Sequence, residues 1–445
     1  MVKHRIHKQQ QPSSSGSLTW WQLSLLGVGC TTGTGFFLGI SIAIEESGYT
    51  VILTLVLAAL GTYFVFDALA KLIAQQPLDG SYRTYASQAF GHWAGFMIGW
   101  IYWSSEIMIV GSTLTALGLF AQYWFPHISL WLLIAIFGVL GLIVAGAGGK
   151  IFEKAESVFA LIKIAAIVMF ILLAILTFSG AIDVARPHYH IHPLFKDGVM
   201  GGWKSFIYAF YAFAGIEVIG LMATNLQNPK EAPKSGKLMI TLLSVLYFGS
   251  VFLALLLVPL TSFTTDESPF ITALKHFDFP IIVNLFNGVL IIAGFSTMVA
   301  SLYCVTLMLM NLSKDGDAPK LFRPRSVGKL SFPALGMTTA CLAASIIMAL
   351  VLPKHMYEYV TTAGSLLLLY TWLFIIFTAR KLLKLKWKDQ FKTLAAIGLI
   401  VIAVSGSTIE KTSRTGFWVS LLFIIIISLV TIMARRSWKA PPASK

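Results

Sequence analysis

Charged residues are scarce in this sequence, and acidic residues are the scarcer of the two kinds. Only 12% of the 445 residues are charged, with 19 acidic residues against 33 basic ones, whereas soluble domains carry about 25%. Hydrophobic residues make up 57% of the chain, and the mean hydropathy is +0.79. This composition excludes an ordinary soluble domain and indicates a protein that crosses a membrane several times.

Cysteine is also rare, and a nucleotide-binding signature is missing. The three cysteines, Cys30, Cys304 and Cys341, all lie in apolar runs, which indicates buried thiols rather than a disulfide framework. Because no G-x-x-x-x-G-K-[ST] motif occurs, we expect any transport to be passive or driven by a gradient. We expect no cofactor and no metal ion. The basic start leads into a polar linker, so we predict no cleavable signal.

Long apolar runs fill most of the chain. Since a membrane-spanning helix needs about 20 apolar residues, we predict an all-α integral membrane protein with about twelve transmembrane helices. The predicted spans are 18–44, 48–74, 89–124, 129–148, 155–179, 202–225, 237–261, 280–311, 333–352, 356–380, 392–407 and 415–434.

The net charge of +14 follows from this topology. Of the 33 lysines and arginines, 25 fall on the side of the membrane that holds the N-terminus, seven fall on the other side, and Lys163 lies inside a span. The positive-inside rule then predicts a multi-pass membrane protein with both termini in the cytoplasm. Membrane lipids are the expected surroundings, and no nucleic acid is expected as a partner.

Two of the predicted spans are interrupted by small residues. Residues 27–39 read G-V-G-C-T-T-G-T-G-F-F-L-G, and the sixth span has a second Gly-containing segment at 209–220. Open backbone at membrane depth is tolerated only where it is buried in protein or lines a cavity. Interrupted helices at matching places of two halves indicate a transporter site. A packing seam of small residues is the alternative.

Four motifs, in order, resemble those of the amino acid–polyamine–organocation transporters, and most closely the bacterial amino acid permeases. They are 33–39 (G-T-G-F-F-L-G), 77–86 (P-L-D-G-S-Y-R-T-Y-A) with 95–103 (G-F-M-I-G-W-I-Y-W), 210–217 (F-Y-A-F-A-G-I-E) with N-P-K at 228–230, and 313–320 (S-K-D-G-D-A-P-K). The resemblance covers about residues 18–381. It implies amino acid transport across the plasma membrane and two inverted five-helix repeats with broken helices 1 and 6.

On this resemblance the chain divides into five parts. The parts are a cytoplasmic tail (1–17), a first repeat with helices 1–5 (18–179), a second repeat with helices 6–10 (202–381), helices 11 and 12 (392–434), and a second cytoplasmic tail (435–445). The oligomeric state stays open, with helices 11 and 12 as candidate contacts.

The resemblance also implies a midplane site between helices 1 and 6. The substrate carboxylate meets backbone N–H groups of 31–35, and the ammonium meets carbonyls freed at 210–214. Phe213 is the expected aromatic lid, with ordinary packing as the alternative. The candidate substrate-binding residues are Cys30, Thr31, Thr32, Gly33, Thr34, Gly35, Tyr102, Glu106, Phe210, Tyr211, Phe213, Ala214 and Ile216.

Lys163 is an ionisable residue flanked by apolar neighbours in the fifth span, and such residues are functional by default. Many members of the family have a lysine here. The resemblance implies that its ammonium stands in for a sodium ion and donates to carbonyls near Gly29 and Cys30. Snorkelling to the membrane interface is the alternative.

Two glutamates are further candidates for proton coupling. Glu217 follows the break in helix 6, and we favour a structural role for it over proton carriage. Glu106 stands one turn after Trp103, where related permeases usually have an aromatic residue. It is a candidate proton site or ammonium ligand, with a satisfied hydrogen bond to another helix as the alternative.

Several positions depart from the family's pattern. Lys71 stands where a glutamate is usual, with Asp67 one turn earlier, and Thr113 stands where a span-three acid is usual. Coupling details of relatives therefore need not transfer. The run His188, His190 and His192 has metal-binding spacing, but without a partner cluster we interpret it as a solvated loop.

We therefore predict a secondary transporter that imports L-amino acids together with protons. The named pocket residues are mostly apolar or hydroxylic, which favours a neutral, aliphatic substrate. A carrier of lysine or arginine is the alternative because of Glu106, and a transporter-like amino acid receptor is another. A membrane enzyme is disfavoured, since the buried ionisable residues form no nucleophile–base set.

Overall fold

The computed structural model describes residues 18–78, 80–146, 149–181, 198–277, 279–324, 331–351 and 356–438. These residues are predominantly helical, and the described ranges contain no strand beyond one isolated bridge between Leu18 and Leu226. The predicted tail 1–17, the histidine run at 188–192 and most of the predicted tail 435–445 lie outside the described residues.

Seventeen α-helices follow one another in the described ranges. They are α1 Trp20–Thr31, α2 Thr34–Phe37, α3 Gly39–Ser47, α4 Val51–Gln75, α5 Tyr82–Phe90, α6 His92–Gln122, α7 Leu130–Gly146, α8 Gly149–Phe178, α9 Gly198–Tyr211, α10 Ile216–Met222, α11 Ala232–Leu257, α12 Pro269–Leu274, α13 Pro280–Lys314, α14 Phe332–Val351, α15 Met356–Leu382, α16 Trp387–Gly406 and α17 Lys411–Trp438.

Each of the predicted spans contains a helix, and the all-α membrane fold is confirmed. Ten stretches of the described residues are long and apolar enough to cross a membrane. One of them, Thr34–Gln75, combines the second part of the first predicted span with the second span, and α7 is a shorter apolar helix of 17 residues. The inverted symmetry of the two repeats and the boundaries of the five parts stay predictions.

The helices are layered around α6. This helix packs along both α13 and α15. In an apolar stretch of 18 residues within α6, 89% of the residues are buried, whereas in the corresponding stretch of α17 only 17% are buried. The first predicted span is divided into α1, α2 and α3, and the sixth into α9 and α10. Both divided spans pack into the same core, since α3 packs against α9 and α1 packs against α10.

Candidate functional site between the two broken helices

The first break lies at Thr32 and Gly33, between α1 and α2. The Thr32 N–H still donates to the carbonyl of Val28, and the next amides that donate are those of Phe36 and Phe37, both to the carbonyl of Gly33. Within the described part of the chain, the N–H groups of residues 33–35 therefore make no hydrogen bond. These free donors lie at the positive end of a helix, where an anion is stabilised.

The second break covers residues 212–215, between α9 and α10. Gly215 has φ +110°, a conformation that side chains other than glycine rarely adopt. The amides of Ala212, Phe213 and Ala214 donate to carbonyls in the last turn of α9. The carbonyl groups of the same three residues accept no hydrogen bond from any described residue. This break therefore presents free acceptors at the negative end of a helix.

The two breaks touch each other through glycines. A methyl group on Gly35 would lie 2.8 Å from the carbonyl oxygen of Tyr211, and one on Gly215 would lie 3.1 Å from the carbonyl oxygen of Cys30. At Gly35 a side chain would force the backbone to shift, and at Gly215 a tight contact adds to the strain of the positive φ. Glycine is therefore favoured at both places.

A small cavity of about 40 Å³ lies between the breaks, which is room for a few water molecules. Helices α6 and α13 form its other walls. The lining residues are Cys30, Thr31, Gly33, Thr34, Gly35, Glu106, Ile109, Thr113, Tyr211, Ala214, Gly215, Val218, Thr297, Ala300 and Ser301.

Most of the predicted substrate-binding residues line this cavity, but five do not. Thr32 lies beside the hydroxyl of Tyr247, Tyr102 packs on the ring of Tyr82, and Phe210 packs on Trp372. Phe213 packs on Tyr247, with ring centroids 5.3 Å apart, and Ile216 is buried in the apolar core. The predicted lid residue thus packs on Tyr247 and does not line the cavity.

The sequence interpretation missed the contribution of α13, which places Thr297, Ala300 and Ser301 on the cavity. Nothing in that apolar helix distinguishes these positions by residue type. On α6 a signal existed, because Ile109 and Thr113 follow Glu106 at the i+3 and i+7 spacing of one helix face. The hydroxyls of Thr113 and Thr34 lie 3.1 Å apart and link this wall to the first break.

Glu106 is 2% exposed, and its carboxyl group faces the cavity. Its Oε2 atom has no hydrogen-bond partner among the described residues, and neither lysine nor arginine lines the cavity. A buried carboxylate oxygen without a donor is costly. This carboxyl group therefore calls for a proton or for the positive group of a ligand.

Lys163 is completely buried, so the snorkelling alternative is wrong. Its Nζ atom on α8 donates to the carbonyl of Gly29 at 2.8 Å and to the hydroxyl of Ser296 at 2.9 Å. The ammonium thus joins the end of α1 to α13. The predicted contact near Gly29 is present in the structure.

Glu217 differs from Glu106 in having protein donors on both oxygens. The N–H of Gly215 donates to Oε1 at 3.1 Å, and the indole N–H of Trp372 donates to Oε2 at 3.3 Å. The side chain caps the start of α10 and ties it to α15. This geometry supports the structural role.

Two of the loop motifs meet at one end of the bundle. Arg83 of α5 donates to the carboxylates of Asp315 and Asp317 after α13, the second at 2.5 Å. Asp317 is 6% exposed and also lies 2.7 Å from the imidazole of His92. These contacts hold α5 against the end of α13, so both motifs have a structural role.

Comparison with known proteins agrees with this architecture. A family model described as amino acid permease matches residues 22–435. An uncharacterized transporter of Bacillus subtilis, YcgH, is 53% identical over 98% of this chain and 99% of its own length.

Two further relatives have names that state a transport activity. The amino-acid permease AapA of Bacillus subtilis is 26% identical over 97% of both chains. The aromatic amino acid transport protein AroP of Salmonella typhimurium is 30% identical over 74% of this chain and 72% of its own length. With a family model that matches nearly its whole length, this chain belongs to the amino acid permease family.

Proposed function

We propose that this permease imports a small neutral L-amino acid across the plasma membrane together with a proton, with both of its termini in the cytoplasm. The observation that carries the proposal is the pairing of free amides at residues 33–35 with free carbonyls at residues 212–214 across one cavity. An amino acid has one anionic and one cationic end. Its carboxylate meets the free amides, and its ammonium meets the free carbonyls.

The size and lining of the cavity support a small neutral substrate. The cavity, at about 40 Å³, must widen to admit any amino acid, and a short side chain requires the least widening. The side chains that face it are hydroxylic or apolar, such as Thr31, Thr297 and Val218. A small side chain with at most one hydroxyl leaves no buried polar group unpaired in such a site.

Glu106 is the proposed proton carrier. Its Oε2 atom is buried without a hydrogen-bond partner among the described residues, and the residue lines the proposed substrate cavity. When no substrate is bound, the neutral form of the Glu106 carboxyl group is the less costly one. Binding of a proton to Glu106 is therefore linked to binding of the substrate. Both oxygens of the Glu217 carboxylate accept hydrogen bonds from the protein. A proton on that group would displace one of these donors, and we therefore assign proton coupling to Glu106.

Lys163 is the proposed replacement for a coupling sodium ion. Its ammonium occupies the place beside the carbonyl of Gly29 and the hydroxyl of Ser296, where oxygen ligands of this kind suit a hard cation. A permanently bound charge at this point allows the first break to persist in sodium-free buffer.

A carrier of cationic amino acids is the second candidate, and Glu106 is the observation that favours it. A buried carboxylate with one oxygen that has no partner among the described residues is also a group that pairs with a lysine or arginine side chain. On this alternative the carboxylate binds the substrate's side chain, and no proton is needed.

Uptake of radiolabelled L-amino acids into proteoliposomes distinguishes the two candidates. The panel is measured in sodium-free buffer with and without an inward proton gradient, for wild type and Glu106→Gln. We expect gradient-stimulated uptake of a small neutral amino acid, and loss of the stimulation in the variant. Uptake of lysine or arginine that vanishes in Glu106→Gln would favour the second candidate. No uptake of any amino acid by folded protein would refute both.

A further inference from the structure

We propose that a groove on the lipid-facing side of the protein, between α4 and α11, binds an anionic phospholipid. One acyl chain lies in the groove, and the headgroup meets Lys237. The groove has a volume of about 430 Å³, far larger than the substrate cavity. Phe213 and Tyr247 line this groove but not that cavity.

The walls of the groove suit a hydrocarbon chain. On α4 the rim is formed by Val56 and Leu60, and on α11 by Val245 and Phe248, and each of these side chains is more than 40% exposed. From Lys237 to Phe248 the groove extends along eleven residues of α11, or about 16 Å at the rise of an α-helix. This length accommodates much of one acyl chain, and its walls face the membrane interior.

One end of the groove selects a negative charge. Lys237 is exposed and, among the described residues, makes no ion pair, whereas Lys234 one turn earlier lies 3.8 Å above the ring of Trp20. Thr241 follows Lys237 by one turn and also lines the groove, while none of the described acidic residues does. With the predicted topology this end faces the cytoplasmic leaflet, where anionic lipids attract lysines close to the surface.

The floor of the groove connects it to both breaks. Phe213 belongs to the second break, and Tyr247 donates from its hydroxyl to the carbonyl of Thr31 in the first break at 3.4 Å. The Tyr247 ring also stacks on Phe36, with centroids 3.7 Å apart. An acyl chain in the groove contacts both aromatic rings and holds them in place. Lipid occupancy therefore stabilises the arrangement of the breaks.

Binding is tested on delipidated full-length protein in detergent by native mass spectrometry and thermal unfolding. Phosphatidylglycerol and phosphatidylcholine with identical acyl chains are titrated in parallel. The variants are Lys237→Gln, which removes the headgroup contact, and Ala59→Phe, which fills the groove. The matched controls are Lys230→Gln, an exposed lysine just before α11 that does not line the groove, and Ala340→Phe on the exposed face of α14.

We expect wild type to bind one phosphatidylglycerol in preference to phosphatidylcholine, with a rise in its unfolding temperature. Lys237→Gln should bind phosphatidylglycerol about fivefold more weakly, and Ala59→Phe should lose the tight binding and the thermal shift, while both controls behave as wild type. Equal affinities for the two lipids, or equal affinities of Lys237→Gln and wild type, would overturn the proposal. A protein dimer that is broken by Ala59→Phe would assign the groove to a second copy of the chain instead.

Discussion

At the first break, between α1 and α2, the side chain that reaches the backbone is a lysine, whereas at the second break, between α9 and α10, it is a glutamate. Lys163 Nζ lies 2.8 Å from the carbonyl oxygen of Gly29, and Glu217 Oε1 lies 3.1 Å from the amide nitrogen of Gly215. The cation thus meets the negative end of α1, and the anion meets the positive end of α10. Each charge has the sign that its helix end favours.

The two breaks have four helix ends, of which two are bound by side chains of the protein and two, in the described part of the chain, are not. The end of α1 and the start of α10 are satisfied by buried side chains of the protein itself. The start of α2 and the end of α9 have no such partner within the described residues. The two satisfied ends hold the breaks open, and the two remaining ends present one set of donors and one set of acceptors to the ligand.

The largest effect is expected at the first break, from Lys163→Met. The change keeps an apolar chain of similar length but leaves the Gly29 carbonyl and the Ser296 hydroxyl without their donor. Such a loss costs about 1–3 kcal/mol in stability, and uptake should fall by about tenfold or more. Proteoliposome uptake and thermal unfolding measure the two quantities.

The control for this variant is Lys381→Met, in the exposed last turn of α15, which should leave both quantities unchanged. Wild-type uptake by Lys163→Met would show that the first break does not need a cation.

At the second break, Glu217→Gln should have a smaller effect. The amide oxygen still accepts from Gly215, but the amide nitrogen faces the indole donor of Trp372, which costs about 1–2 kcal/mol of stability. Stimulation of uptake by an inward proton gradient should persist, in contrast to Glu106→Gln. If Glu217→Gln abolishes the stimulation and Glu106→Gln retains it, the assignment of the proton carrier is reversed.

The backbone of the second break is tested by Gly215→Ala. With φ +110°, alanine is strained, and its methyl group lies against Cys30. We expect a loss of about 1–2 kcal/mol, measured by thermal unfolding. Gly336→Ala on α14 has open space around it and should be neutral or slightly stabilising. Equal stability of both variants would contradict the claimed preference for glycine at the break.

The smallest effect is expected in the middle of α9, where Lys204 donates to Glu410 at 3.1 Å. This hydrogen bond lowers the pKa of Glu410 below its usual value. The stabilisation is therefore complete above the ordinary carboxyl pKa and is lost as the pH falls through the lowered pKa. Glu410→Gln should cost at most about 1 kcal/mol near neutral pH.

Thermal unfolding of Glu410→Gln and wild type at pH 7 and at pH 3 measures this difference. The gap between the two proteins should narrow at the lower pH, and a gap that widens would contradict the sign of the shift.

The breaks themselves could be predicted from the sequence, because glycine and threonine concentrated inside an apolar span weaken the helix at that point. Lys163 could be singled out from the sequence, since a single charge in an apolar run stands out. The partners of Glu106 and Glu217 could not, because burial and hydrogen bonding depend on which helices lie beside them. Only the fold shows that Trp372 reaches Glu217, while Oε2 of Glu106 has no partner among the described residues.

The position of Phe213 illustrates a second limit of the sequence. Its place in the family motif indicated a lid over the ligand, but in a turn of four residues the direction of a side chain changes sharply from one residue to the next. Tyr211 and Ala214 point to the cavity, whereas Phe213 packs on Tyr247. Residue type and spacing do not determine that direction once the helix has ended.

The most direct test of the two-ended site is competition against uptake of the best substrate of the panel by wild-type proteoliposomes. The competitors are the unlabelled amino acid, its amide, which lacks the carboxylate, and its N-acetyl derivative, which lacks the ammonium. If residues 33–35 bind the carboxylate and residues 212–214 bind the ammonium, both derivatives should compete about a hundredfold more weakly than the parent. A derivative that competes as well as the parent amino acid would contradict the assignment of the corresponding break.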